Sequence, residues 1–195
     1  MYQYNKKAPL PNLFASGKNN RLVFKTQTEE AEVLLSGKGM IEKVVHDDLK
    51  NNKRTEIFFQ KSHHVLVGSG NCERNVYHFL LPSLHEHLQL RLGITIHNGE
   101  GTWSSLPHDF ENHLENDFEE VFFYLLSGGS KRAIQVGRGV WSDGSQVDEI
   151  WPISDREFSP IPMGYHPVVA EPGVAVSYVW AYLAKKKRWE KVKHD

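Results

Sequence analysis

The chain has 195 residues, 39% of them hydrophobic and 24% charged, which excludes a disordered chain and provides for one substantial domain with a core. A formal net charge of −1 and a pI near 6.8 give no whole-chain attraction to nucleic acid or anionic membrane, and no apolar run approaches the roughly 20 residues of a membrane helix. Cys72 is the only cysteine, so an internal disulfide is excluded; no apolar stretch follows Lys6 and Lys7 to serve as a secretory signal, and the expectation is a cytoplasmic protein.

Residues 1–20 are rich in Asn and Lys, carry Pro9 and Pro11, and read as an extended arm. Short β-type runs follow at 21–25 and 30–37, the second ended by Gly37. Residues 44–54 are polar and read as a loop or hairpin end, and 55–67 return to β formers. Residues 74–81 form another run, stopped by Pro82. Residues 88–97 alternate, with Leu88, Leu90, Leu92, Ile94 and Ile96 on one face and Gln89, Arg91, Gly93, Thr95 and His97 on the other, which predicts a half-buried strand. Asn98 to Gly101 is a turn, 119–126 a strand, 127–130 a tight turn, and 131–136 a strand. A Gly/Asp/Ser loop containing Trp141 is expected at 137–145, then strands at 148–154, 158–162, 165–170 and 175–182. Residues 185–195 form a basic tail. Short strands at this spacing, with almost no helical periodicity, predict an all-β sandwich or barrel.

Two stretches carry the chemistry. Residues 102–124 hold His108 beside a turn and Glu120 at the opening of a strand; residues 164–170 hold His166 directly after a Pro-Met-Gly turn. Two imidazoles and a carboxylate converging in a barrel would suit Zn, Mn, Fe, Co or Ni. The spacing matches no short helical metal motif, so the all-β setting has to bring these residues together. Glu120 shares a strand face with Phe122 and Tyr124, and a carboxylate on an otherwise aromatic face needs a cation or donors. Glu119 faces the other way, toward solvent. Gln135, opposite in phase to Ile134 and Val136, projects into the barrel; Gln135 and Tyr124 are the candidates for substrate contact. His85 and His87 have the i, i+2 spacing of a strand metal pair but follow Pro82-Ser83 in a loop, and His63 and His64 point to opposite faces. Trp141 and Trp151 read as packing residues.

In order, Trp103-Ser-Ser-Leu-Pro-His, Glu119-Glu-Val-Phe-Phe-Tyr, Asp148-Glu149, Pro162-Met-Gly-Tyr-His-Pro-Val-Val-Ala-Glu-Pro-Gly and Tyr178-Val-Trp resemble the C-terminal half of the 5-deoxyglucuronate isomerase family, over about residues 70–183. The resemblance implies a cupin: a small, jelly-roll-like antiparallel β-barrel, here with a reduced N-terminal β portion. Together with the composition, this divides the chain into an arm at 1–20, an N-terminal β segment or reduced cupin half at 21–69, the barrel at 70–183 and a basic tail at 184–195. It also implies an aldose–ketose isomerase acting on a sugar acid or a related small polar carbohydrate, with a divalent ion (Zn, Mn, Fe or Ni) held by three histidines and one glutamate. Carried over, these are His108, Glu120 and His166. The family pattern has its second histidine two residues after the first, where this chain has Phe110; the next histidine, His113, is five residues on and would need a bend to reach the same ion. The chain is also shorter on its N-terminal side than the family's two-cupin enzymes.

The plain alternatives are a core histidine at 166 and surface histidines at 108 and 113. They lead to a rival reading, a non-catalytic sugar-binding or structural cupin that lost its metal with the second histidine, and to a third, a metal-dependent oxygenase on the same barrel. The expected partners are a small-molecule sugar acid and a second copy of the chain in a homodimer, with no nucleic acid and no membrane.

Overall fold

A computed structural model describes residues 10, 12–103, 119–140, 146–161 and 166–184. Fourteen strands run through them, with two single 3-10 turns at Phe59–Lys61 and Gly70–Cys72. Among the described residues no helix is long and apolar enough to cross a membrane. The first five strands, β1 (Phe14–Lys18), β2 (Arg21–Lys25), β3 (Glu29–Leu35), β4 (Ile41–Asp48) and β5 (Lys53–Phe58), form an antiparallel meander in chain order. The stretch expected as an arm thus contains the edge strand β1.

The second sheet has six strands. β6 (His63–Val67), β7 (Arg74–Leu80), β8 (Leu90–His97), β9 (Glu120–Ser127), β12 (Phe158–Ile161) and β14 (Ala175–Leu183) lie in the order β12-β9-β14-β8-β7-β6. The third is small: β11 (Gln146–Ile153), β10 (Ala133–Val140) and β13 (Val168–Ala170). Every pairing is antiparallel. This is the all-β, cupin-like architecture expected from the turn spacing and the family resemblance.

The six-stranded sheet is the middle layer. One face packs Leu90, Leu92, Ile94, Val121, Phe123 and Val179 against Leu22, Phe24, Val33 and Val44 of the meander. The other closes the barrel, packing Phe122, Tyr124, Tyr178, Trp180 and Tyr182 against Trp151, Ile153 and Val168 of the small sheet. Gly93 is where this packing is tightest: a Cβ there would meet Trp180 Cζ2 at 2.2 Å and the Tyr77 carbonyl oxygen at 2.5 Å.

Several expectations are corrected. The strand at 88–97 is covered on both faces rather than half-buried, because the meander lies on one side and the barrel interior on the other. Of the two readings of residues 44–54, loop or hairpin end, the hairpin is the one formed: Asp48 lies opposite Lys53, and Arg54 pairs with Asp47 at 2.9 Å across β4 and β5. Residues 137–140, expected in a loop, continue β10 opposite Gln146 to Glu149.

Glu119 is not solvent-facing but 1% exposed. Its carboxylate accepts hydrogen bonds from Asn12 N at 2.9 Å, Asn12 Nδ2 at 2.6 Å and Leu13 N at 2.7 Å. Glu29, also 1% exposed, makes the reciprocal contact: from the start of β3 it accepts from Gln89 N at 2.6 Å and Leu90 N at 2.9 Å, at the entry to β8. Each carboxylate satisfies the backbone donors of the sheet opposite.

Glu119→Ala strips a buried acceptor from three donors, and should lower unfolding stability by about 2–4 kcal/mol. Glu30→Ala removes only the exposed partner of Lys25 and should cost ~0.5 kcal/mol or less. Urea titration followed by circular dichroism checks this; equal losses would show that the Glu119 contact does not hold the two sheets.

Candidate functional site

Glu120 opens β9. Strand parity sends its side chain into the barrel, opposite to that of Glu119, and the ladder holds it between Ile161 of β12 and Tyr182 of β14. His166 comes from the far side, two residues before β13. The two meet: His166 Nε2 lies 3.9 Å from Glu120 Oε2, with the residues 6% and 3% exposed. The Phe122 ring, stacked on Tyr178 at 4.4 Å, presents its edge to the His166 imidazole at 5.9 Å. An imidazole nitrogen and a carboxylate oxygen therefore face each other beside the stacked Phe122 and Tyr178 rings.

Of the four expected metal ligands the structure brings together Glu120 and His166, while His108 and His113 lie outside the described residues. Among the described residues no group of three or more His, Cys, Asp or Glu is arranged to hold an ion. The pair does fit as part of such a site. The donors are of the N and O type that Zn, Mn, Fe and Ni accept, and their 3.9 Å separation is less than twice the ~2.0–2.2 Å ligand distance.

Tyr124 and Gln135 also meet inside the barrel, both fully buried. Tyr124 donates its hydroxyl to Gln135 Oε1 at 2.9 Å, and Gln135 Nε2 donates to the His166 carbonyl at 2.7 Å and to those of Val136 and Pro167 at 3.1 Å each. Burial raises the Tyr124 pKa well above the usual phenol value, so its hydroxyl stays a donor at neutral pH. Trp151 is a packing residue as expected, 8% exposed, with its indole N–H donated to Ser159 Oγ at 3.2 Å.

The register adds two residues that sequence reasoning passed over. Tyr182 is opposite both Glu120 and Arg91, so Glu120, Tyr182 and Arg91 form one rung of the barrel-facing side. Arg91 was on view in the polar half of the β8 alternation, but its level along the barrel emerges only from the pairing. His87 is placed elsewhere: its Nε2 lies 3.0 Å from both carboxylate oxygens of Asp48. Burial opposes the Asp48 charge, but bonds from His87 and Asn51 outweigh it and hold the carboxyl well below the usual carboxylate range. His87 thus serves to join β4 to the β8 entry.

Comparison with known proteins follows the same lines. The model of the KduI/IolB family matches residues 50–195. The 5-deoxy-glucuronate isomerase of Geobacillus kaustophilus is 32% identical over 127 residues, covering 63% of this chain and 44% of the relative. That of Listeria monocytogenes is 23% identical over 189 residues, covering 95% of this chain and 64% of the relative. The chain thus spans about half the length of the first of these relatives and under two thirds of the second. Among solved structures, an IolB-like protein from Salmonella typhimurium LT2 superimposes with a TM-score of 0.62 at 18% identity, over 94% of this chain and 75% of that one.

At the other end of the barrel His97 is 5% exposed, its Nδ1 2.6 Å from Thr102 Oγ1 and its ring against the Tyr178 ring. Burial, reinforced by the charge of Arg74, pushes its pKa from 6.5 down to about 3. Between those values the unfolded chain binds a proton that the folded chain refuses. The folded state is therefore at full strength above pH 6.5 and loses stability as pH falls toward 3, by up to ~1.4 kcal/mol per pH unit. His97→Gln keeps a hydrogen-bonding group for Thr102 and removes the titration. Thermal melts from pH 7 to 4.5 should show a shallower fall in Tm for the variant than for the parent; equal slopes would mean that His97 does not carry this acid sensitivity.

Proposed function

The chain belongs to the KduI/IolB family, and from that premise we propose that it is a metal-dependent cupin isomerase of the 5-deoxy-glucuronate isomerase type, interconverting aldose and ketose forms of a sugar acid. The observation that carries the reading is the approach of His166 to Glu120 within the aromatic wall of the barrel, 3.9 Å apart, by two residues that the family resemblance singles out. The names of the relatives support the reaction class.

The isomerisation moves a proton between neighbouring carbons of the substrate. A divalent ion held by Glu120 and His166, with His108 and, through a bend, His113 as further candidates, would supply a Lewis acid that polarises the carbonyl and stabilises negative charge on the adjacent oxygens. The chain's own residues prepare the place. Phe122, Tyr178 and Trp180 restrict water, so that charges in the pocket are weakly screened. The β9 ladder holds Glu120, and Gln135 donates to the carbonyls of residues 166 and 167 beside it. Glu120 as an ion ligand does not double as the proton-transfer base, and the base is not assigned to a described residue.

Purified without chelator, the protein should carry a stoichiometric divalent ion and turn over 5-deoxy-glucuronate-type sugars. Glu120→Ala and His166→Ala should each lose the ion and lower turnover by at least 100-fold, read by elemental analysis and a coupled sugar assay. Unchanged metal content in both variants would place the site elsewhere and remove the isomerase reading. Metal-free protein that takes up no Zn, Mn, Fe or Ni at neutral pH would instead favour the non-catalytic cupin, with Phe110 marking the lost ligand.

The reading includes self-association as a homodimer. Among the described residues β5 and β6 lie at sheet edges, with Phe58 50% and Leu66 55% exposed. Sedimentation velocity at micromolar concentration should give a dimer, and Leu66→Lys should shift it toward monomer; a monomer throughout would exclude this.

A further inference from the structure

Gln135 is a buried amide whose orientation is fixed by what surrounds it. Three of its neighbours are backbone carbonyls, of residues 136, 166 and 167, and carbonyls only accept, so the NH2 end must face them. The remaining neighbour, the Tyr124 hydroxyl, donates to the oxygen end at 2.9 Å. The side chain is 0% exposed, so no water competes for these bonds. A flipped amide would set its carbonyl oxygen against three others.

The network joins the two halves of the candidate site. Tyr124 is four residues after Glu120 on the same face of β9, so both project from one rigid strand. His166 arrives on a segment outside that sheet. Its carbonyl is gripped by Gln135 at 2.7 Å, while Pro167 O accepts from Val136 N at 2.9 Å and from Gln135 at 3.1 Å. A continuous path therefore runs from β9 through Tyr124 and Gln135 to the main chain of His166, whose Nε2 faces Glu120.

We propose that Gln135 is a positioning residue, and that the Tyr124–Gln135–His166 relay sets the separation between the His166 imidazole and the Glu120 carboxylate. The proposal rests on the metal-site reading given above. Partners that orient ligand residues are worth about 10–100-fold in metal affinity. Donation to the His166 carbonyl carries the effect, and the Tyr124 hydroxyl fixes the amide that makes it.

The test uses the full chain with Co2+ alone as the probe, affinity from calorimetry and coordination from the visible absorption bands. Gln135→Met keeps the length and removes every hydrogen bond; Gln135→Asn keeps the amide and loses its reach. Both should bind Co2+ about 10–100-fold more weakly than the parent, with displaced absorption bands, at temperatures where melts show them folded. Tyr124→Phe leaves the bonds to His166 in place and should weaken binding by only about 3-fold. His166→Ala and Glu120→Ala should abolish binding. Folded Gln135→Met or Gln135→Asn with parental affinity and bands overturns the proposal alone, since a packing role would move the melting temperature and nothing else. If neither variant folds and Tyr124→Phe binds as the parent does, the amide is a packing residue and the proposal is equally overturned. A parent that takes up no Co2+, or variants at 166 and 120 that still bind it, overturns the metal reading and this proposal together.

Discussion

The central strands of the six-stranded sheet, β8, β9 and β14, are buried on both faces, and that constraint governs the rest of the molecule. A sheet with one wet face can leave its strand entries to solvent; this one cannot, because β8 and β9 begin beneath a second layer. Backbone N–H groups at such entries need acceptors from the chain itself. Glu29 and Glu119 supply them in opposite senses: the meander's carboxylate caps the entry to β8, and the middle sheet's carboxylate caps the entry to β1. A carboxylate is suited to this, since it can take several donors at once and its charge strengthens each bond. Asp48, accepting from His87 and Asn51 nearby, extends the same device along the edge.

That constraint reaches the candidate site through adjacency. Glu119 and Glu120 are consecutive, and the two-residue period of a strand sends them to opposite faces. One locks the meander onto the sheet; the next faces His166 in the barrel. The carboxylate of the site thus inherits the immobility of its neighbour. Leu183 N donates to the Glu119 carbonyl at 3.0 Å, so β14 is pinned at the same level as well.

Much of this was legible in the residues. The turn positions and the runs at 21–25, 74–81 and 175–182 correspond to strands, and the parity of Glu120, Tyr124 and Gln135 places all three inside the barrel. What escaped depended on partners far away in sequence. Glu119 read as exposed because nothing local needs it; its donors are 106 and 107 residues earlier. The β8 strand read as half-buried because Arg91, Thr95 and His97 are polar, and alternation cannot tell a solvated face from a barrel interior that satisfies polar groups internally. Residues 44–54 read as a loop or a hairpin end, because charged cross-strand pairs on an outer face have the composition of a turn, and only the register decides for the hairpin. Of the site, the Glu120–His166 pair is legible through the resemblance, whereas the rung shared by Glu120, Tyr182 and Arg91 requires the register.

The 3.9 Å between His166 Nε2 and Glu120 Oε2 is itself informative. It exceeds the 2.7–3.2 Å of a good hydrogen bond and lies at the outer limit of an ion pair. Their positions come from the scaffold, the ladder around Glu120 on one side and the Gln135 bonds on the other. A divalent cation is a third party that would satisfy the carboxylate and the imidazole lone pair together. This is why the fixed geometry of the pair, more than the number of histidines in the chain, bears on whether the barrel has kept its chemistry.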